Sequence, residues 1–193
     1  MAIHRSQFIN IYRMEANNWK TLDTAVPYEN PWIRVEHRDV LTPAGTPGIY
    51  GVVQFKNKAI GIVPVDDEGF VYLVGQYRYT LEEYSWEIPE GGSPEGEDPL
   101  ATAKRELKEE TGLTAAQWQP LGRVHTSNSV TDEEGFMFLA QGLTAGEAQP
   151  EDTEELALRR VPLAEAVEMV MRSEITDSIS ICGILKAARL LGV

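Results

Sequence analysis

Residues 91–113, GGSPEGEDPLATAKRELKEETGL, constrain this chain more than any other stretch. The second half has the marks of a helix. Asp98 suits the N-cap, and Pro99 suits the first helical position, which needs no backbone N–H. Leu100, Ala103 and Leu107 recur at spacings of three and four and form one apolar stripe. Gly112 follows the last periodic residue and can take the left-handed conformation that ends a helix. At about 100° per residue, Glu106, Glu109 and Glu110 fan across an arc of about 100° beside that stripe. Like charges so placed destabilise a helix by a few tenths of a kcal/mol per pair. Arg105 and Lys108 neutralise part of the repulsion. A hard divalent cation does so better, because Mg²⁺ takes oxygen ligands and favours one or two carboxylates plus substrate phosphates. The glycine-rich run 91–97 is expected to be a loop that bends back, so that backbone carbonyls also reach a metal.

The spacing of Gly91, Glu97, Arg105, Glu106, Leu107, Glu109, Glu110, Gly112 and Leu113 resembles the Nudix box, without a departure. A solvated surface helix would account for the charge run but not for Gly91, Glu97 and Gly112. The resemblance implies an α/β fold, the Nudix α/β/α sandwich of mixed sheets, over residues 57–193. It implies Mg²⁺ as cofactor, with Mn²⁺ as an alternative, and hydrolysis of a diphosphate that joins a nucleoside to another group. Glu106 and Glu110 are then the expected chief metal ligands, with Glu109 beside them and the backbone carbonyl of Glu90 as a further ligand. Arg105 would orient the carboxylates by ion pairing. Glu97 would hold the loop against the helix, and Gly91 and Gly112 complete the structural part of the box.

The flanking text at 74–79 and 87–92, with a long first section, resembles the ADP-ribose and nucleoside-diphosphate-sugar pyrophosphatase branch of that family. In that branch an N-terminal antiparallel sheet, here residues 1–56, builds a homodimer whose sites borrow residues across the interface. Arg78 and Glu87 become candidate substrate-binding residues, since a guanidinium fork suits phosphate oxygens. Arg78 also reads as a strand-end surface arginine. Trp32 reads equally as a stacking platform for the base or as a buried anchor of the hairpin. In the acidic stretch 144–154, Glu154 falls where this branch keeps a glutamate that serves the attacking water; a solvated loop is the alternative. ADP-ribose-specific members usually carry a proline shortly after the box, and residues 128–131 have none. That departure moves the resemblance toward other sugars, such as GDP-mannose, or a broad specificity. Dinucleoside polyphosphates and NADH stay open as substrates. A sensor that binds a nucleotide sugar without cleaving it is the competing class, and retention of every box glutamate weighs against it.

Charge excludes other partners. The net charge is −13, which argues against general nucleic-acid or anionic-membrane binding. Residues 82–110 hold ten acids against three bases and so contribute −7 of that total. Cys182 is the single cysteine, so no intrachain disulfide forms and a reducing, cytoplasmic compartment is expected. Its apolar-periodic surroundings make it a core filler. His4, His37 and His125 are too scattered to form a metal site. The first twenty residues lack the apolar core of a signal peptide, and no uncharged run reaches the length of a membrane span.

Periodicity supplies the remaining elements. One or two strands are expected within 1–30, and paired strands over 32–41 and 50–55. Residues 66–69, Asp-Asp-Glu-Gly, read as the turn of a hairpin joining 59–65 to 70–78. Strands follow at 119–126, 136–143 and 156–161. Helices are expected from Pro162, taken as the first helical residue, to about Arg172, and over 178–191.

Overall fold

The computed structural model describes residues 17–148 and 156–193. Strands β1 (Lys20–Glu29), β2 (Ile33–Leu41) and β3 (Pro47–Phe55) make an antiparallel sheet with β2 in the middle. The chain continues through β4 (Asn57–Pro64), β5 (Phe70–Arg78), β6 (Glu83–Glu87) and β7 (Glu90–Pro94) into helix α1 (Pro99–Thr111). Then come β8 (Thr114–His125), β9 (Glu134–Thr144), β10 (Ala157–Pro162), α2 (Leu163–Met171) and α3 (Ser178–Leu191). A four-stranded sheet in the order β7-β4-β9-β8 is mixed, because β4 and β9 run parallel and the other pairs antiparallel. A second, antiparallel sheet has the order β10-β5-β6.

Strand alternation on β4 builds the sandwich. Ile60 and Ile62 point to one face, where they pack with Ala103 and Leu107 of α1. Val63 points to the other, into a core that includes Ile179 and Ile184 of α3. Between them Gly61 lets α3 come close: a Cβ there would stand 2.5 Å from Ile179 Cγ2. The result is helix, sheet, helix, as the box resemblance implies. Helices α1 and α3 occupy the ranges expected of them, and α2 starts one residue late, with Pro162 as its N-cap. Asp98 is the N-cap of α1 by position, without a side-chain capping bond. Cys182 is half-buried and packs against the larger core.

Two expectations fail. Residues 66–69 do turn, with Gly69 at φ 80° and its N–H on the Asp66 carbonyl, but β4 and β5 do not form a hairpin. Both edges of β4 are taken, by β7 and β9, so β5 meets it only in a Val65–Val71 bridge and departs into the second sheet. The glycine-rich run is not wholly a loop either. Residues Glu90–Pro94 are strand β7, paired with β4, and only the residues after it loop into α1.

The N-terminal sheet is tied to the rest through β3. Val53 N–H donates to the Val130 carbonyl at 2.9 Å, and Asp132 N–H to the Val53 carbonyl at 3.2 Å. The Phe55 N–H reaches Asp132 Oδ1 at 2.8 Å, and the Tyr50 hydroxyl reaches the Ser129 carbonyl at 2.7 Å. Strand β1 supplies one of the strands expected in 1–30; residues 1–16 lie outside the described residues. Among the described residues no helix is long and apolar enough to cross a membrane.

Gly61→Ala forces a methyl against Ile179 and is expected to cost about 1–3 kcal/mol, the usual penalty for overpacking a core. A lower urea midpoint with an unchanged slope is the measurement that checks it.

Candidate active site

Helix α1 presents its acids in two ways. Glu106 and Glu110 turn toward the sheet and are 9% and 5% exposed. Glu109 stays on the flank. Arg105 Nη1 lies 2.8 Å from Glu106 Oε1 and 2.8 Å from Glu109 Oε2, so one guanidinium bridges two of the three acids. Above them lies β7. The Glu90 N–H donates to Glu110 Oε2 at 3.0 Å. At Gly91 a Cβ would stand 1.9 Å from the Cδ of Glu106. Only glycine leaves that carboxylate its place.

Gly112 ends α1 at φ 71°, its N–H on the Lys108 carbonyl. A Cβ on it would also come within 2.6 Å of the Gly146 carbonyl, so the segment after β9 crosses the end of the acidic helix. Glu97 is half-buried, and its N–H donates to the Pro94 carbonyl at 3.1 Å, closing the turn between β7 and α1. Glu154 lies outside the described residues.

Beside β7 opens a cavity of about 640 Å³ whose walls include Trp32, Phe55, Lys58, Arg78, Glu90 and Asp177. Trp32 is 66% exposed, so its ring is not a buried anchor. What is anchored is its backbone. Asn30 Oδ1 accepts from the N–H groups of Trp32 at 2.8 Å and Ile33 at 2.7 Å, and the Lys56 N–H donates to the Trp32 carbonyl at 2.9 Å. Arg78 ends β5 and is held by Glu87, which is 3% exposed: Nε contacts the two carboxylate oxygens at 2.9 and 3.0 Å, and Nη2 also bonds to Oε2. The Glu87 hydrogen bonds raise the Arg78 pKa further, against the opposing effect of burial. Glu87 therefore faces Arg78, and the two line a second cavity of about 400 Å³ whose walls also include Asp177.

The front of α3 completes the wall, and sequence reasoning missed it. Asp177 caps α3, accepting from Ser180 N–H at 2.7 Å. Ser180 Oγ donates to Glu90 Oε1 at 2.8 Å. Burial, reinforced by the charge and hydrogen bond of Asp177, pushes the Glu90 carboxyl well above the usual carboxylate range. An aspartate before an apolar run was legible as a helix cap. Nothing local marked it as a neighbour of the box.

The donor set fits a hard cation held in part by substrate. Among the described residues no three acidic, histidine or cysteine side chains converge into a ready-made metal cage. Mg²⁺ does not ask for one, since it binds through one or two carboxylates, with water and phosphate oxygens supplying the rest. Two buried carboxylates on one turn, beside a backbone strand, meet that need.

These features define a class: an α/β/α sandwich whose site is built on one acidic helix tucked under a glycine strand. The chain belongs to the Nudix hydrolase family, the NUDIX domain matching residues 56–178. Residues 19–53 match the nucleoside diphosphate sugar hydrolase N-terminal domain. An ADP-ribose pyrophosphatase of Mycobacterium tuberculosis is 41% identical over 131 residues, 66% of this chain and 63% of that protein's length. An ADP-ribose pyrophosphatase of Bacillus subtilis is 32% identical over 167 residues, covering 86% of this chain and 90% of its own. The methanol dehydrogenase activator of Bacillus methanolicus is 32% identical over 161 residues, 82% of this chain and 86% of that one. The crystal structure of an ADP compounds hydrolase superposes with a TM-score of 0.83 at 22% identity, over 92% of this chain and 96% of that one, which shows the shared fold.

Gly91→Ala is expected to displace the Glu106 carboxylate and break its ion pair with Arg105 while leaving the cores untouched. The check is a loss of Mn²⁺-dependent water-proton relaxation enhancement, with the far-ultraviolet circular dichroism spectrum unchanged.

Proposed function

We propose that this protein hydrolyses the diphosphate of a nucleoside diphosphate sugar, ADP-ribose, GDP-mannose or a similar compound, to a nucleoside monophosphate and a sugar phosphate. The observation that carries this reading is the pair Glu106 and Glu110, held beneath Gly91 and Glu90 at the edge of a cavity that also presents Arg78. The printed activities of the two pyrophosphatase relatives and the N-terminal domain match support the same substrate class.

Glu106, Glu110 and the Glu90 carbonyl would hold Mg²⁺, or Mn²⁺ in its place, with Glu109 in reserve. When bound, the cation supplies charge neutralisation at the bridging phosphates and lowers the pKa of a water. Arg105 keeps Glu106 and Glu109 in place and offsets their repulsion. The pair with Glu87 uses Nε and Nη2 of Arg78, so Nη1 is the nitrogen that would meet a phosphate oxygen. Trp32 offers its exposed face to the nucleoside base. Glu154 takes the proton-accepting role that its place before β10 assigns by resemblance. Residues 1–56 serve as a dimerising unit: every residue of β1 is exposed, including Leu22 at 53% and Tyr28 at 55%, which supports a homodimer. A lone cysteine supports a cytoplasmic setting.

Phosphorus NMR of a nucleotide sugar incubated with protein and Mg²⁺ tests the reaction, and monophosphate products are the expected outcome. An intact diphosphate would overturn it. Glu110→Gln removes several kcal/mol of charge stabilisation and should lower turnover by orders of magnitude, at about 1.4 kcal/mol per tenfold. Trp32→Ala should raise KM several-fold and leave the urea midpoint unmoved, because the ring buries little.

A further inference from the structure

In the tripeptide that leads into the box, Ile88-Pro89-Glu90, proline has no N–H, so only two backbone donors exist. Both are committed. Ile88 N–H donates to Ser180 Oγ at 3.0 Å, and Glu90 N–H donates to Glu110 Oε2 at 3.0 Å. The Pro89 carbonyl accepts from Ile62 N–H at 2.9 Å. Ser180 also donates to Glu90 Oε1 at 2.8 Å, so one hydroxyl touches both ends of the tripeptide. Ser180 and Ile88 are both 0% exposed, which leaves water no route to replace that hydroxyl.

We propose that Ser180, ninety residues beyond Glu90, is a positioning residue for the divalent-cation site. Without its Oγ, the Ile88 N–H stays buried and unpaired, a state that costs enough for the peptide to turn in search of a partner. Any such turn moves the Glu90 carbonyl and loosens the Glu90 N–H on Glu110. Ser180 thus acts on the cation as an outer partner acts on a first ligand, through orientation and without contact. The inference rests on the proposal that Glu90 and the box glutamates hold the cation.

The test is a Mn²⁺ binding isotherm on the full chain, read from the electron paramagnetic resonance signal of free Mn²⁺. Ser180→Ala is expected to weaken binding by at least about 10-fold, the usual effect of removing an outer partner. Ser180→Cys keeps a weak donor and acceptor and should fall between the two. It also serves if the alanine variant does not fold. Ile184→Val, a fully buried site on the same helix, is the control: it should lower the urea midpoint and leave Mn²⁺ affinity as in the parent protein. At saturating metal the Ser180 variants should recover most of their kcat. Parent-like Mn²⁺ affinity in both Ser180 variants overturns the proposal, as does equal weakening by Ile184→Val, which would make the effect one of general loosening. Failure of the parent protein itself to bind Mn²⁺, with or without a nucleotide sugar, overturns the cation reading beneath it as well.

Discussion

Two carboxylates buried against a backbone strand govern this structure. Glu106 and Glu110 sit at 9% and 5% exposure, where an uncompensated negative charge costs several kcal/mol. The chain offsets that cost from three sides. Arg105 pairs with Glu106, the Glu90 N–H bonds to Glu110, and Gly91 withholds the side chain that would push Glu106 out. A helix with the same acids facing solvent would need none of these devices. One guanidinium thus serves Glu106 and Glu109 together, while a backbone N–H serves Glu110. Carboxylates gathered on one helical turn supply the oxygen ligands that a small, hard divalent cation takes.

Holding that strand in place recruits distant parts of the chain. Strand β7 pairs with β4, β4 is parallel to β9, and α3 presses on β4 where Gly61 makes room. From the other direction, the N-terminal sheet is hydrogen-bonded to Ser129, Val130 and Asp132, so the segment between β8 and β9 and the Trp32 turn share one support. The cavity walls therefore come from elements far apart in sequence, each fixed by backbone bonds rather than by side-chain contacts alone. Walls so fixed hold the Trp32 backbone through Asn30 and Lys56, Glu90 through its N–H on Glu110, and Arg78 through Glu87.

Local signals were legible wherever one element's own residues set its limits. Helix α1 runs from Pro99 to Thr111 because Pro99 and Gly112 bound it, and α3 starts at Ser178 because Asp177 caps it. Pairing was less legible. The Asp66–Gly69 turn has hairpin chemistry, yet competition for the edges of β4 sends β5 elsewhere, and no local pattern encodes that competition. The glycines of β7 look like loop residues until α1 is in place, since their lack of side chains serves Glu106 rather than flexibility. Asp177 and Ser180 were invisible as site members for the same reason: their meaning is set by a contact ninety residues away.

Arg78 shows how charge is rationed in so acidic a region. Residues 82–110 carry −7, so a nearby cation faces many competing acids. A lysine is a single point charge and would settle on whichever acid lies closest. A guanidinium has two usable edges. Buried Glu87 takes the one formed by Nε and Nη2, which fixes the plane of the group and removes its freedom to collapse onto Glu90 or Asp177. Because that ion pair orders the side chain, any further bond made by the remaining nitrogen carries little added entropic cost. Glu87, only 3% exposed, thereby fixes the orientation of the guanidinium, and a planar group anchored through two nitrogens holds one geometry where a single point charge would not.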